Sequence, residues 1–402
     1  MNSASVQSQL ASLSEDYRRA LLEDCLPFWF PRSVDTRHGG FLHCFDGSGN
    51  SVDTDKSVWA QGRMAWMLLR LYEDVEQDPQ WLQWAESGLT FLKRYCFDHD
   101  GRMFFHVTRD GRPIRKRRYA YSEVFAAIAF AAHARVTSSE ESEQMARRLF
   151  SLFVDWNFTP GRMPARSTDV RPMIGLAPRM MTLVTGQELR WALGDDEGLR
   201  HWMDRAVHEI RTLFVKPSLK CVMETVAPDG SVEDHFDGRI LNPGHAIEAA
   251  WFLMEEGRWR DDADLIRCGC EMLNWMWERG WDREFGGLFY FRDVYDRPVQ
   301  EYWHEMKFWW PHDEALIATL LACRLTGELQ YLDRHLLLKN WCDEHFQDRE
   351  HGEWFGYLRR DGTRSSDLKG NLWKSFFHHP RSLWMCWRTA ESCLSNHEGG
   401  SR

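Results

Sequence analysis

The sequence lacks the short motifs that mark a metal centre, a disulfide framework or a phosphate-binding loop. Its ten cysteines are scattered through apolar stretches without a Cys-x-x-Cys pair, and it contains no His-Glu-x-x-His. It also has no glycine-rich phosphate loop and no order of Ser, His and Asp that indicates a nucleophilic triad. We therefore predict buried, reduced cysteines, no bound metal and no cofactor.

An excess of positive charge and long apolar runs are absent as well. The chain carries 50 Lys plus Arg against 60 Asp plus Glu, a formal net charge of −10, whereas nucleic acids and anionic membranes select a basic face. No run of about 18 apolar residues occurs, and the first residues lack the pattern of a secretory signal. We predict a cytoplasmic protein with neither a nucleic-acid nor a membrane partner.

Aromatic and apolar residues, by contrast, are abundant. Hydrophobic residues make up 43% of the 402 positions, with 21 Trp and 24 Phe, and this composition excludes a disordered chain. No Pro-, Gly- or Ser-rich linker divides the sequence. We therefore predict a single domain over residues 1–402.

Helical periodicity dominates the sequence. Segments such as 79–97 and 139–156 have one apolar stripe at i, i+3, i+4 spacing, whereas 57–72 and 119–137 are apolar nearly all round. Helices with one solvated face thus alternate with helices that are buried on every side. The pattern predicts twelve helical segments, at 5–29, 57–75, 79–97, 119–137, 139–156, 170–185, 195–214, 243–256, 259–279, 312–326, 328–346 and 380–394.

The links from an amphipathic helix to the next buried one are long and carry a hairpin signal, with short aromatic strands around a turn aspartate. Six helix–hairpin–helix units fit the period of this signal, which has one double interval. We therefore predict an all-α fold, a closed (α/α)6 toroid or barrel with short β-hairpins in the long loops at one end; an open superhelix is the alternative. The turn aspartates are Asp46, Asp110, Asp229, Asp296 and Asp361, at intervals of 64, 119, 67 and 65 residues.

The starts of the buried helices carry ionisable residues in apolar surroundings, where charges need partners. Because equivalent points of successive repeats would meet at one end of a toroid, we expect these residues to line one pocket. Aromatic rings at the same end could pack against the C–H face of a sugar. The candidate site residues are Arg63, Glu123, His245, Glu248, Glu314, His378 and Trp310.

Each candidate also has a structural interpretation. Arg63 could be a buried tie to a nearby carboxylate, and Glu314 could complement a helix dipole from the first turn. His245 and Glu248, at i and i+3, could share a hydrogen bond or form two thirds of a metal site, although no third ligand has a recognisable spacing. His378 could cap the last buried helix.

Two histidines, a few carboxylates and one arginine around an aromatic pocket favour proton transfer. The histidine pKa of about 6.5 lets an imidazole accept or donate a proton near neutrality. Two imidazoles on opposite sides of a carbon next to a carbonyl could remove a proton from one face and return it to the other, while arginine stabilises the enolate oxygen. The combination predicts 1,1-proton transfer or aldose–ketose isomerisation.

At these same residues the sequence resembles the N-acylglucosamine 2-epimerase superfamily, whose known members are (α/α)6 barrels. The resemblance covers nearly the whole chain, with six motifs in the order and spacing of the family. They are Lys56-x-x-Trp59-x-Gln61-x-Arg63, Tyr121-Ser122-Glu123-x-Phe125, Pro172-Met173, Asn242-Pro243-Gly244-His245-x-x-Glu248, Trp309-Trp310-Pro311-x-x-Glu314-Ala315 and Phe377-His378-x-Pro380-Arg381.

The resemblance implies roles for five candidates. The histidines that match His245 and His378 are the acid/base pair of the family, the arginine that matches Arg63 binds the substrate oxygen, and the glutamates that match Glu248 and Glu314 assist. It also implies a small-molecule sugar substrate and no cofactor, because ATP acts on the family's N-acylglucosamine epimerases as an activator rather than a reactant. A homodimer is left open.

Two details of the resemblance affect the prediction. The family's aldose–ketose isomerases and cellobiose epimerases carry a further histidine on the third buried helix, where this chain has Met173 and Ile174. This difference favours the N-acylglucosamine epimerase branch. His379 is an alternative second base, but the motif places the histidine two residues before the proline, which selects His378.

The first functional hypothesis is therefore a sugar 2-epimerase that interconverts N-acyl-D-glucosamine and N-acyl-D-mannosamine. An aldose–ketose isomerase, such as a mannose isomerase, would use the same residues. A glycoside hydrolase with Glu248 and Glu314 as acid and base would need its carboxylates about 5 to 10 Å apart. A catalytically silent, dimeric interaction protein is the third class.

Overall fold

The computed structural model describes residues 3–117, 119–164 and 167–399, and helices dominate this part of the chain. Two π-helical stretches, Ala20–Cys25 and Ile210–Phe214, and two 3-10 turns, Pro217–Leu219 and Asp237–Arg239, supplement the α-helices. The α-helices are α1 (Ser3–Arg19), α2 (Leu26–Trp29), α3 (Val58–Asp74), α4 (Pro79–Tyr95), α5 (Tyr121–Thr137), α6 (Glu140–Phe158), α7 (Ala177–Leu193), α8 (Glu197–Glu209), α9 (Pro243–Arg260), α10 (Ala263–Gly280), α11 (Trp309–Thr326), α12 (Leu329–His345) and α13 (His378–Gly399).

One compact unit, formed by residues 29–212 and 368–377, contains three helix pairs. The helices α3, α5 and α7 pack in succession, and each also packs against the helix that follows it in the chain. Most side chains of α5 are buried, whereas α4 buries one face. The predicted alternation of buried and half-exposed helices is confirmed in this unit.

The second compact unit, formed by residues 3–28, 213–367 and 378–399, repeats the arrangement. Here α9, α11 and α13 pack in succession, α9 pairs with α10, and α11 pairs with α12. The partner of α13 is α1, so the two ends of the chain form the third helix pair. The side chains from Trp309 to Cys323 on α11 are all buried, as its nearly unbroken apolar sequence predicts.

The third buried helix begins later in the structure than the sequence pattern predicts. We expected a helix over 170–185, whereas α7 begins at Ala177, after the short strand Ile174–Gly175. Pro178 explains the start, because proline lacks an N–H and is best accommodated in the first turn, where that N–H has no partner within the helix. Met173 and Ile174 therefore precede the third buried helix, so comparing them with a histidine on that helix was wrong.

The strands are short and connect loops. They are β1 (Cys44–Phe45), β2 (Ser51–Asp53), β3 (Lys56–Ser57), β4 (His106–Val107), β5 (Pro113–Arg115), β6 (Ile174–Gly175), β7 (Val215–Lys216), β8 (Cys221–Val222), β9 (Thr225–Val226), β10 (Ile240–Leu241), β11 (Arg292–Asp293), β12 (Lys307–Phe308) and β13 (Tyr357–Leu358). The predicted hairpins over 39–52 and 101–114 are confirmed as the antiparallel pairs β1–β2 and β4–β5.

A second kind of strand pairing fixes where the buried helices begin. The strand before α3, α9 or α11 pairs with a strand in the loop of the following repeat, as β3 with β4, β10 with β11 and β12 with β13. The segments 286–299 and 352–364, predicted as hairpins, supply β11 and β13 to these pairs. The residues at the starts of α9 and α11 are therefore held by backbone hydrogen bonds as well as by packing.

Neither a disulfide nor a membrane-spanning helix occurs in the described residues. All ten cysteines lie within them, and no disulfide joins any two. No helix in this part of the chain combines the length and the apolar character that crossing a membrane requires.

Gly62 tests the close packing of α3 on α5. A Cβ atom at Gly62 would lie 2.6 Å from the backbone carbonyl carbon and oxygen of Phe125, which cannot move aside as a side chain can. We expect Gly62→Ala to lower the free energy of unfolding by about 1–3 kcal/mol, because overpacking strains the neighbouring backbone. A shift of the urea unfolding midpoint measures the effect.

Gly198→Ala is the matched control. Gly198 lies on α8, is exposed, and its nearest neighbour is the Asp196 side chain at 3.2 Å. Alanine should be neutral there or stabilise by about 0.5–1 kcal/mol through its helix propensity. Equal losses of stability in the two variants would contradict the proposed close approach.

Candidate active site

His245 lies in the first turn of α9, and a carboxylate holds its ring. Asn242 caps the helix by accepting a hydrogen bond from the backbone N–H of His245 at 3.1 Å, and Pro243 occupies the first helical position. The Nδ1 atom of His245 lies 3.1 Å from both carboxylate oxygens of Glu224. Nδ1 therefore carries the proton that Glu224 accepts, and Nε2 is the nitrogen that can exchange a proton with a substrate.

The electrostatic environment favours the charged form of His245. Burial alone would lower its pKa, but Glu224, followed by Glu248 and Glu314, outweighs this effect and raises the pKa of His245. The side chain is 30% exposed, so the ring remains accessible to a ligand. A raised pKa suits an imidazole that must hold a proton and release it near neutral pH.

His378 begins α13 and belongs to a buried ion cluster. Its Nδ1 atom lies 2.7 Å from Oε1 of Glu314, and Arg381, one turn further on, donates from Nη2 to the same oxygen at 2.5 Å. The indole N–H of Trp251 donates to the other oxygen of Glu314 at 2.9 Å. Burial opposes the ionisation of Glu314, but Arg381 and His378 outweigh it and lower the pKa of this carboxyl group.

Glu248 shares Arg381 with Glu314, but its pKa is shifted in the opposite direction. The Nη2 atom of Arg381 donates to Oε1 of Glu248 at 3.0 Å. Burial and the nearby charge of Glu314 nevertheless raise the pKa of Glu248. One guanidinium thus keeps Glu314 ionised, whereas the protonated form of Glu248 is accessible near neutral pH.

The indole ring of Trp310 lies next to both histidines. The centroid of its indole lies 5.0 Å from the ring centroid of His245 and 5.9 Å from that of His378. The five predicted residues His245, Glu248, Trp310, Glu314 and His378 all lie in the unit that contains α9, α11 and α13. The structure therefore brings five of the seven predicted site residues together.

The cluster also contains a set of possible metal ligands. An oxygen of Glu248, an oxygen of Glu314 and a ring nitrogen of His378 lie within 4.8 Å of one another. However, Nη2 of Arg381 already donates to both carboxylates, so a cation held by them would lie against a guanidinium. We assign no metal to these three residues.

Arg63 lies in the other unit, where aromatic rings surround it. Its guanidinium carbon is 4.0 Å from the ring centroid of Phe125, 4.8 Å from that of Phe377 and 5.3 Å from that of Trp59. Its Nη1 atom donates to the backbone carbonyl of Trp373 at 3.5 Å. Cation–π contacts of this kind hold a buried guanidinium in place.

Glu123 lies in the same unit as Arg63 and makes structural contacts. It is fully buried, and its Oε1 atom accepts hydrogen bonds from Nε of Arg102 at 2.6 Å and from the backbone N–H of Met103 at 2.9 Å. These bonds tie the start of α5 to the loop before it. These contacts of Glu123 are structural, and its role in binding a substrate stays a prediction.

The neighbouring histidines at 378 and 379 have separate surroundings. His379 has Nδ1 3.0 Å from Oδ1 of Asp313, and its ring stacks on Trp354 with 4.1 Å between centroids. His378, by contrast, is the histidine next to Glu314 and Arg381. The geometry is consistent with the preference for His378 as the second base.

Two charged groups of the cluster had no role in the sequence analysis. Glu224 comes from the loop between β8 and β9, and its signal was a single carboxylate within the apolar segment 221–227. Arg381 appeared only as the end of a motif, although a buried arginine on the same helix as His378 requires a carboxylate partner.

Comparison with known proteins agrees with the geometry. Residues 40–381 match the family model described as N-acylglucosamine 2-epimerase (GlcNAc 2-epimerase). The chain is 35% identical to the N-acylglucosamine 2-epimerase of Bos taurus over 93% of this chain and 90% of that protein. It is 27% identical to the cellobiose 2-epimerase of Eubacterium cellulosolvens over 90% of this chain and 95% of that protein.

A solved structure shares the fold. The cellobiose 2-epimerase from Bacillus thermoamylovorans B4167 matches with a TM-score of 0.82 and 20% identity, over 95% of this chain and 100% of that one. The predicted fold class, an all-α (α/α)6 barrel, is thereby confirmed.

Glu224→Gln tests the control of His245. The substitution removes the carboxylate charge that raises the pKa of His245, so we expect this pKa to fall, as followed by NMR of labelled histidine. A raised pKa in the folded state stabilises the protein below the unfolded value of about 6.5, and the contribution is lost as pH rises through the folded pKa. The stability difference between parent and variant should therefore be largest in weak acid, below about pH 6.5 but above the range of about pH 4.3 in which glutamates become protonated, and it should shrink as pH rises.

Glu271→Gln, on the exposed face of α10, is the control for this experiment and should leave the His245 titration unchanged. An unchanged titration in Glu224→Gln itself would contradict the assigned contact between Glu224 and His245.

Proposed function

The chain belongs to the N-acylglucosamine 2-epimerase family, and from this premise we propose that it is a sugar 2-epimerase that interconverts N-acyl-D-glucosamine and N-acyl-D-mannosamine. It is an isomerase in reaction class, since the reaction inverts one carbon without net change of composition. The observation that carries the proposal is the placement of two carboxylate-held imidazoles beside one indole ring.

The two imidazoles supply the proton transfers. After the sugar ring opens, C2 lies next to the C1 carbonyl, and Nε2 of one histidine removes the C2 proton to leave an enolate. Nε2 of the other histidine then donates a proton to the opposite face of C2. Glu224 and Glu314 hold the Nδ1 protons of His245 and His378, so each ring is fixed in the tautomer whose Nε2 can accept a proton.

The buried carboxylates of the cluster can assist at the oxygen atoms. Because its pKa is raised, Glu248 can hold a proton near neutral pH and donate a hydrogen bond to the enolate oxygen or to a ring oxygen during opening. Glu314 stays ionised beside Arg381 and keeps His378 oriented. The role that the family resemblance implies for Arg63, contact with a substrate oxygen, is part of the proposal.

A glycoside hydrolase that used Glu248 and Glu314 as acid and base is disfavoured by the same cluster. Oxygens of the two carboxylates lie within 4.8 Å of each other, and Arg381 donates to both from one nitrogen. A hydrolase needs room for the glycosidic bond between its two carboxyl groups, which are about 5–10 Å apart. The guanidinium occupies that position here.

The proposal extends to conditions and partners. We propose that the reaction needs no cofactor, with ATP acting at most as an activator, and that the protein works in the cytoplasm. Ten cysteines without a disulfide are typical of a reducing compartment. A homodimer is the arrangement we expect among its partners.

Solvent deuterium distinguishes the epimerase from its nearest alternative. In deuterium oxide, the protein should introduce deuterium at C2 of N-acetylmannosamine and form N-acetylglucosamine, both followed by proton NMR. Mannose and cellobiose are the comparison substrates. A ketose as the main product would instead establish an aldose–ketose isomerase and overturn the proposal.

His245→Asn and His378→Asn test the two-base mechanism. Each should reduce the interconversion of the epimers at least about 10²-fold, because each removes a general acid/base. Exchange of the C2 proton should persist for the one epimer whose proton faces the remaining histidine. His99→Asn, at an exposed ring, is the control. Interconversion within tenfold of the parent in either site variant would contradict the mechanism.

A further inference from the structure

A second buried group of side chains in the same unit has no part in the proposed reaction. Cys25 ends the π-helical stretch after α1, Glu353 lies in the loop before β13, and His379 is the second residue of α13. The sulfur of Cys25, a carboxylate oxygen of Glu353 and a ring nitrogen of His379 all lie within 4.8 Å of one another. The three residues are 0%, 0% and 2% exposed, respectively.

Two neighbouring side chains, Asp313 and Trp354, fix the orientation of the His379 imidazole. Asp313 holds Nδ1 at 3.0 Å, and the stacked ring of Trp354 fixes the plane of the imidazole. The imidazole is almost completely buried. A carboxylate that holds one ring nitrogen of a buried imidazole is the usual arrangement around a metal-binding histidine.

Glu353 occupies a position where other repeats of the chain have glycine. Its φ angle is +61°, in the left-handed region, and Gly40 and Gly287 adopt φ of +69° and +72° at the same point of their turns. An L-residue is strained there, and such strain persists where the side chain has a role. The carboxylate reaches Cys25, whose sulfur lies 2.8 Å from Oε2.

We propose that Cys25, Glu353 and His379 supply three of the ligands of a structural zinc site. Sulfur, imidazole nitrogen and carboxylate oxygen are ligands that zinc accepts together, whereas magnesium and calcium select oxygen alone. On binding, the thiol of Cys25 loses its proton to solvent as the sulfur–zinc bond forms. Among the ligands, one thiolate and one carboxylate then balance the two charges of the ion, and the imidazole is neutral.

The position of the site indicates what zinc would do. Cys25 and Glu353 are 328 residues apart in the sequence, and His379 lies on the terminal helix. The ion would therefore join the first helical segment, a hairpin loop and the last helix. A bond between segments so distant in sequence stabilises the folded state and leaves the chemistry at His245 and His378 to the protein alone.

The experiment uses the full-length protein after removal of metals with a chelator. Zinc titrated against a chromophoric competitor should bind with one equivalent, and it should raise the thermal unfolding midpoint. We expect Asp313→Asn, which removes the carboxylate that holds His379, to reduce the affinity for zinc about 10–100-fold. Cys25→Ser and His379→Asn, which each remove a ligand, should reduce the affinity further. Cobalt provides a measurement on the unaltered protein, because thiolate ligation produces a charge-transfer absorption band.

Two control variants locate the ion. Cys44→Ser removes another buried cysteine that lies beside a histidine, at 3.5 Å from His43, and should leave zinc binding unchanged. His378→Asn should also bind zinc as the parent does, because its carboxylate cluster is already neutralised by Arg381.

Three results would overturn the proposal. The first is failure of the stripped protein to compete for zinc, and the second is a cobalt complex without a thiolate band. The third is zinc binding that survives Cys25→Ser and is lost in His378→Asn, which would place the ion at Glu248 and Glu314. Because the cobalt spectrum needs no substitution, the proposal remains testable even if the variants fail to fold.

Discussion

The need to neutralise buried carboxylates governs the candidate active site. Glu248 and Glu314 lie within one apolar region, and their desolvation is tolerable because Arg381 donates to both. The guanidinium is shared unequally, which lowers the pKa of Glu314 and leaves that of Glu248 raised. The cluster thus holds a fixed anion that orients His378 and, in Glu248, an acid whose proton is retained because burial and Glu314 outweigh Arg381. Because the charge of Arg381 lowers the pKa of both carboxyl groups, its loss would raise both.

Polar side chains at the starts of the buried helices also anchor the loops that precede these helices. Near the starts of α3, α5 and α11, Gln61, Glu123 and His312 each accept a hydrogen bond from a backbone N–H in the preceding loop, at 2.7, 2.9 and 2.9 Å. Burial lowers the pKa of His312 to about 3, so it accepts this bond as a neutral ring. An ionisable residue at the start of a buried helix can therefore serve a loop contact, and Glu123 is an example.

Most of the fold and most of the residues in the cluster could be predicted from the sequence, and Glu224 and Arg381 were the charged groups that were missed. Periodicity placed the helices because burial imposes a pattern on each segment by itself, and it failed at α7, where Pro178 rather than apolar spacing decides the start. The residues on buried helices were also recognisable, since a charge in an apolar helix is conspicuous. Glu224 was not, because its contact with His245 joins a loop to a helix across 21 residues and leaves no periodic trace.

The adjacent histidines at the start of α13 belong to two different groups of buried side chains, and the local sequence alone could not assign each histidine to its group. Successive residues of a helix point about 100° apart, so His378 and His379 must face different neighbours. His378 meets Glu314, and His379 meets the adjacent residue Asp313, so two neighbouring pairs on α11 and α13 repeat the same carboxylate–imidazole contact side by side. What differs is the rest of each environment: Arg381 and Trp310 next to His378, and Cys25 and Glu353 next to His379. The same pair of helices therefore orients two imidazoles, and the side chains around each one are the basis for proposing proton transfer at His378 and zinc binding at His379.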